Sequence, residues 1–145
     1  MLLVHGTTVA ISGQGVLIRG VPGSGKSDLA LRLIDGGASL VADDQTWLAL
    51  DGDRVVARPP ETIAGLIEAR GVGILRLPYL APIPVALVVD LVGDAGAIER
   101  LPEPSAAVLM GVALPRLDLI AFQASAAAKV RLAVLSPTRD IIASS

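Results

Sequence analysis

An α/β domain built on a mixed β-sheet with flanking helices is the fold class the sequence predicts, on three observations. A short apolar strand, Val16-Leu17-Ile18, runs into Gly20-Val21-Pro22-Gly23-Ser24-Gly25-Lys26-Ser27, and a stretch of helical period follows at once. Further apolar runs of buried-strand type recur at 40–42 and 85–91, separated by turn residues. The chain has 145 residues, 52% of them apolar, with no internal repeat and no linker, which suits a single domain over 1–145. A domain near this length buries roughly 70% of its unfolded surface, so a sizeable core is within reach.

Taken in order, residues 2–4 and 7–11 read as short strands with His5-Gly6 between them, and Gly13-Gln14-Gly15 turns the chain into the strand at 16–18. The helix over 27–34 puts Leu29, Ala30, Leu33 and Ile34 on one face and Asp28, Arg32 and Asp35 on the other; Gly36-Gly37 ends it. Leu40-Val41-Ala42 is a buried-type strand ending in Asp43-Asp44. Residues 47–50 and 55–57 flank Asp51-Gly52, a strong hairpin signal. Pro59-Pro60-Glu61 predicts the opening of a short helix running to Glu68, with proline in the first turn and an acid at the positive end. Gly71-Val72-Gly73 precedes a strand at 74–77, and 93–104 reads as loop. Residues 106–114 fit helix or strand equally; 117–122 alternate as a strand. A second helix is expected at 126–135, closed by Pro137, with a frayed tail at 140–145.

Composition excludes several functions. Aromatics are 2% of the chain, so packing rests on Leu, Val, Ile and Ala, and stacking platforms for single-stranded nucleic acid are missing. A net charge of −2 and a pI near 5.2 leave no basic field for nucleic acid or an anionic membrane. The absence of cysteine excludes disulfides, thiol catalysis and cysteine metal sites. Met1–Val4 lacks the basic and long apolar regions of a signal peptide and the apolar stretch at 80–89 is too short to span a bilayer, so a cytoplasmic location is expected.

The glycine-rich stretch fits a phosphate cradle. Its glycines permit the backbone angles that point successive N–H groups at a polyphosphate, and the helix behind it turns its positive end to an anion. Lys26 can reach the outer phosphates and the Ser27 hydroxyl can hold Mg²⁺. Phosphoryl transfer further needs a carboxylate, to orient the metal or to accept a proton. Two strand ends offer one. Asp90 follows Val88-Val89 as an ordinary metal-supporting aspartate would, and Asp43-Asp44 offers two adjacent acids, which repel and raise one pKa as a general base near neutrality requires. Strand neighbours point to opposite faces, so only one of that pair can face the site unless the strand ends there. Either can instead cap the next turn. A lone histidine such as His5 is ordinarily a structural hydrogen-bonding residue. Glu68 and Arg70, placed at a helix end, would be merely solvated were it not for the glycines that follow, which let a ligand approach the backbone. Arg100 reads as an exposed loop arginine.

Together these pieces resemble the catalytic domain of HPr kinase/phosphorylase, the bacterial enzyme that phosphorylates a serine of the phosphocarrier protein HPr. The resemblance rests on His5-Gly6, the phosphate loop, Leu40-Val41-Ala42-Asp43-Asp44, Pro59-Pro60-Glu61 and Ile67-Glu68-Ala69-Arg70-Gly71-Val72-Gly73-Ile74, in the family's order. It implies a P-loop kinase domain akin to phosphoenolpyruvate carboxykinase, using ATP and Mg²⁺. By position it implies Asp44 as the residue that takes the serine proton, His5 as its catalytic-site partner, Ser27 and Glu68 as magnesium ligands, and catalytic roles for Lys26, Arg70 and, on a looser alignment, Arg100. An HPr-type phosphocarrier protein is the implied substrate, and the family's usual hexamer allows a homo-oligomer. A short form without the family's N-terminal domain is expected, because His5 stands almost at the start. The family's dephosphorylation region contains glycine and arginine. Its counterpart Ile120-Ala121-Phe122-Gln123-Ala124-Ser125 carries no basic residue, which argues against phosphorylase activity. The chain is also short beyond Leu135, where the family has further helices. Two other functions remain open from the residues: a small-molecule P-loop kinase, although no arginine-rich lid is evident, and a nucleotide-binding regulatory module without transferase activity.

Overall fold

The structure, a computed structural model, describes residues 1–135; the expectations for Pro137 and the tail at 140–145 lie outside them. In chain order the strands are β1 (Leu2–Val4), β2 (Gly6–Ile11), β3 (Gln14–Arg19), β4 (Ser39–Ala42), β5 (Thr46–Asp51), β6 (Arg54–Arg58), β7 (Leu66–Ala69), β8 (Gly73–Arg76), β9 (Ile83–Leu91), β10 (Ser105–Leu109) and β11 (Val112–Leu119). The helices are α1 (Lys26–Asp35) and α2 (Ala126–Leu135). Neither is long and apolar enough to cross a membrane.

The sheet is mixed, as predicted, and it curls. Its order is β1-β5-β6-β9-β3-β2-β4, with β11 also on β9 and β10 on β11. β9 organises it. It lies parallel to β3, pairing Arg19 with Asp90, and parallel to β11, pairing Asp90 with Asp118. Its first residues, Ile83 and Pro84, pair antiparallel with β6. Leu87, Val88 and Val89 are buried to 1% exposure or less, as a strand covered on both faces requires.

Strand alternation divides the core in two. Val9, Val16, Ile18, Leu87 and Val89 face α1 and α2, meeting Leu29, Ala30, Leu33, Val130 and Val134. Ala10, Leu17, Val41 and Val88 face the other way and meet Leu48, Val55 and Ala57 from β5–β6, and Leu109 and Leu114 from β10–β11. A single sheet can fill both sides only by folding over its second face, so the curl follows from where the apolar residues fall.

Two expectations are corrected and one left open is resolved. The predicted helix up to Glu68 is a 3₁₀ turn at Glu61–Ile63 followed by β7, which pairs with β8. Gly65 at φ +78° cannot continue a right-handed helix, and the Leu77 N–H closes the base of the hairpin on the Gly65 carbonyl at 2.7 Å. Beyond it Ile67 and Ala69 are buried and Glu68 exposed, a period of two. Residues 106–114 resolve into two strands about Met110-Gly111, both at positive φ, as a tight hairpin demands. The strand expected at 117–122 is the second half of β11; it ends at Leu119, where pairing with Leu91 of β9 stops.

Candidate functional site

The glycine-rich loop leaves the sheet after Arg19 and delivers the chain to α1. Gly23 and Gly25 sit at φ +82° and +101°, conformations that side chains resist. Gly25 is the N-cap of α1 and no side chain caps it, so the helix opens with N–H groups turned to the loop. A Cβ on Gly20 would run into Ser24 Oγ and Leu91, and one on Gly25 would sit 2.6 Å from Ala121 Cβ. Lys26 Nζ donates to the carbonyls of Gly20 (2.7 Å) and Val21 (3.2 Å), folding over the loop. Ser24 Oγ is buried with no hydrogen-bond partner, a cost of about 1–3 kcal/mol unless something in the loop engages it.

α1 is anchored at both ends. Ser27 Oγ donates to Asp43 Oδ1 at 2.6 Å. Arg32 pairs with Asp28 at 3.0 Å and donates to the carbonyls of Ala121 and Gln123, the latter at 3.2 Å. At the far end Arg131 of α2 donates to the Arg32 carbonyl at 3.3 Å and covers Gly36, placing a cation against the negative end of the helix.

The aspartate pair divides its labour by direction. Asp43 is buried and accepts three hydrogen bonds: from Thr7 Oγ1 (2.9 Å), Ser27 Oγ (2.6 Å) and the Glu68 N–H (3.1 Å). It therefore ties β2, α1 and β7 to one carboxylate. Asp44 is exposed, in the left-handed conformation at φ 66° that aspartate tolerates, and its N–H donates to Thr7 Oγ1 at 3.1 Å. The strand ends at Ala42, before both, which frees Asp44 to turn toward the loop.

A cavity of about 340 Å³ lies over this corner, lined by Pro22, Gly23, Gly25, Lys26, Ser27, Asp28, Leu31, Asp44, Glu68, Ala69, Arg70 and Phe122. The structure thus brings Asp44, Lys26, Ser27, Glu68 and Arg70 to one place. It does not bring His5 or Arg100 there. His5 is exposed just before Gly6, which pairs with Arg19 where the loop begins; Arg100 is exposed in the segment between β9 and β10. Glu68 and Arg70 arrive from the β7–β8 hairpin and not from a helix end. Among the described residues no cluster of three or more His, Asp or Glu side chains could hold a metal alone. Mg²⁺ ordinarily binds through one or two protein groups plus phosphate oxygens, and the Ser27 hydroxyl with the Glu68 carboxylate fits that donor set.

Asp90 is corrected as a metal-supporting residue. Arg19 donates to both its oxygens, at 2.8 and 2.9 Å, and Arg116 adds a third bond at 2.6 Å. Arg116 also reaches Asp118 at 2.5 Å. Burial pushes the Asp90 carboxyl upward, but the hydrogen bonds from Arg19 and Arg116 outweigh it and hold the group below the usual carboxylate range. The Arg19 guanidinium is held correspondingly more firmly in its charged form.

Sequence reasoning passed over Asp28, Leu31 and Phe122 on the cavity wall and Thr7 beneath Asp43. The first three carry no motif, and Thr7 sits on a strand whose six residues are all buried, so alternation gave no signal.

The family model of the HPr serine kinase C-terminal domain matches residues 1–80. The HPr kinase/phosphorylase of Cupriavidus necator is 35% identical, over 96% of this chain and 45% of that protein. That of Geobacillus thermodenitrificans is 43% identical, over 61% of this chain and 31% of that protein. The chain therefore spans less than half the length of these curated relatives. The solved Hpr(Ser) kinase/phosphatase from Coxiella burnetii superposes with a TM-score of 0.82 at 25% identity, covering 93% of this chain and 95% of that one. With loop, aspartate corner and hairpin in place and the first 80 residues matched, the chain belongs to the HPr serine kinase C-terminal domain family.

Proposed function

We propose that the cavity binds ATP with Mg²⁺ and transfers its terminal phosphoryl group to a serine hydroxyl of an HPr-type phosphocarrier protein. The observation that carries this is the convergence of Asp44, Lys26, Ser27, Glu68 and Arg70 on one cavity at an uncapped helix N-terminus. The loop amides and Lys26 cradle the phosphates, the lysine exchanging loop carbonyls for phosphate oxygens. Ser27 and Glu68 would hold Mg²⁺, which would supply positive charge to offset that of the phosphates. Asp44 takes the proton of the serine hydroxyl as its oxygen attacks the terminal phosphorus; the bond to the bridging oxygen breaks, ADP leaves, and the proton stays on Asp44. Arg70 stabilises charge on the moving group. Asp43 keeps Ser27 and the Glu68 backbone in register with each other and with Asp44.

The kinase direction is favoured over phosphorolysis. Residues 120–125 supply no cation, and the arginine beside them, Arg32, is engaged with two carbonyls of that stretch and with Asp28. Cytoplasmic residence and assembly into a homo-oligomer belong to the same proposal and rest on the family likeness. Incubation with ATP, Mg²⁺ and folded HPr should yield phosphoserine by mass spectrometry. No product at high enzyme, with ATP bound, would instead establish a nucleotide-binding regulatory module.

A further inference from the structure

The apolar wall of the cavity has no part in the chemistry above. The chain contains one Trp, one Tyr and one Phe, and of these only Phe122 lines the cavity. Its side chain is 66% exposed although its neighbour Ala121 is buried at 1%. An aromatic left in water forfeits about 1.5–3 kcal/mol of burial, so a fixed, exposed ring at a cavity mouth calls for an occupant. The ring is fixed by its surroundings. A Cβ on Gly25 would sit 3.0 Å from Phe122 Cζ, so the ring lies against the last glycine of the phosphate loop. Arg32 donates to the carbonyls of Ala121 and Gln123, one on each side of Phe122, and the Gln123 N–H closes a turn on the Ile120 carbonyl at 3.3 Å.

The charge on this wall selects a neutral, flat group. Arg32, behind this wall, is engaged with Asp28 and the two carbonyls, and the cations that line the cavity, Lys26 and Arg70, stand elsewhere in it. Leu31 extends the apolar surface along α1; it stands four residues beyond Ser27, about 6 Å along the axis.

We propose that Phe122 is the stacking platform for the base of the bound nucleoside triphosphate, presented by the Arg32 brace. This rests on the phosphate-loop reading above. Every base has a π-face, so the platform supplies affinity with little choice among bases.

The test compares MgATP with magnesium tripolyphosphate, which has the phosphates but no base, by calorimetric titration of wild type, Phe122→Ala and Phe122→Trp. The Ala variant should bind ATP about 5- to 100-fold more weakly and bind tripolyphosphate within about twofold of wild type. The Trp variant should retain ATP affinity and show indole quenching by ATP that tripolyphosphate does not produce. Three outcomes overturn the inference while leaving the phosphate loop intact. They are equal wild-type affinity for both ligands, equal weakening of both in the Ala variant, and a raised KM for the carrier protein with ATP affinity unchanged. If wild type binds neither ligand, the phosphate-loop reading falls and takes the platform with it.

Discussion

Two carboxylate corners stand at the same end of the sheet, where the phosphate loop leaves it, and they are built on opposite principles. Asp90 is held by two guanidinium groups, at 2.8 and 2.6 Å. Asp43 is held by two hydroxyls and an amide, all neutral, and the carboxylate of Asp44 beside it has no ion pair among the described residues. A carboxylate clamped by arginine has its charge neutralised and its lone pairs filled, and it serves the architecture. One held by neutral donors keeps its charge available to a metal or a proton. Apolar strands lead to both, so what distinguishes the two corners is the partner each carboxylate is given.

The comparison is broken most severely at Asp44. Asp44→Asn should slow phosphoserine formation about a thousandfold while leaving ATP affinity within about threefold by calorimetry. Loss of binding instead would make Asp44 a structural or metal residue and erase the contrast with Asp43. Next in size is Asp43→Ala, which removes the acceptor of the buried Thr7 hydroxyl and of the part-buried Ser27 hydroxyl and Glu68 N–H; a loss of about 2–4 kcal/mol in urea unfolding is expected, along with weaker ATP binding as Ser27 loses its anchor. Asp90→Asn should cost about 1–2 kcal/mol and leave ATP affinity unchanged. Its signature is pH dependence. The folded pKa of Asp90 lies below its unfolded value, so its contribution is fully present above the unfolded value near 3.9 and is lost as pH falls through the lower folded one. The acid limb of the wild-type unfolding midpoint should therefore be steeper than that of Asp90→Asn; coincident limbs would show that the arginines add nothing.

Legibility in the sequence follows the range of the interactions. The glycine-rich loop, its strand and its helix are local, and the spacing within residues 20–27 alone places Lys26 and Ser27. The hairpin that carries Glu68 and Arg70 was read as a helix because Pro59-Pro60-Glu61 resembles a helix start, while the positive φ at Gly65 that forbids one is set by tertiary closure. From the residues alone Asp43 and Asp44 could be read only as a pair, and it is the family resemblance that singles out Asp44; which one turns inward depends on Thr7, 36 residues from Asp43. The arginines of Asp90 come from 71 positions before it and 26 after it, a distance no spacing rule covers. Phe122, set in a stretch read for its missing cations, gave no motif at all.

The clamp on Asp90 bears on how the sheet assembles. β9 must align with β3 and β11 at once, and both partners are far off in sequence. Its apolar residues alone would accept a slide of one position poorly but not forbid it; the carboxylate does, because the slide would aim it at the oily layer beneath α1 and α2, take Arg19 from its carboxylate and leave Arg116 with Asp118 alone. One charged trio thus proofreads strand alignment, and the loop that follows Arg19 starts from the right rung.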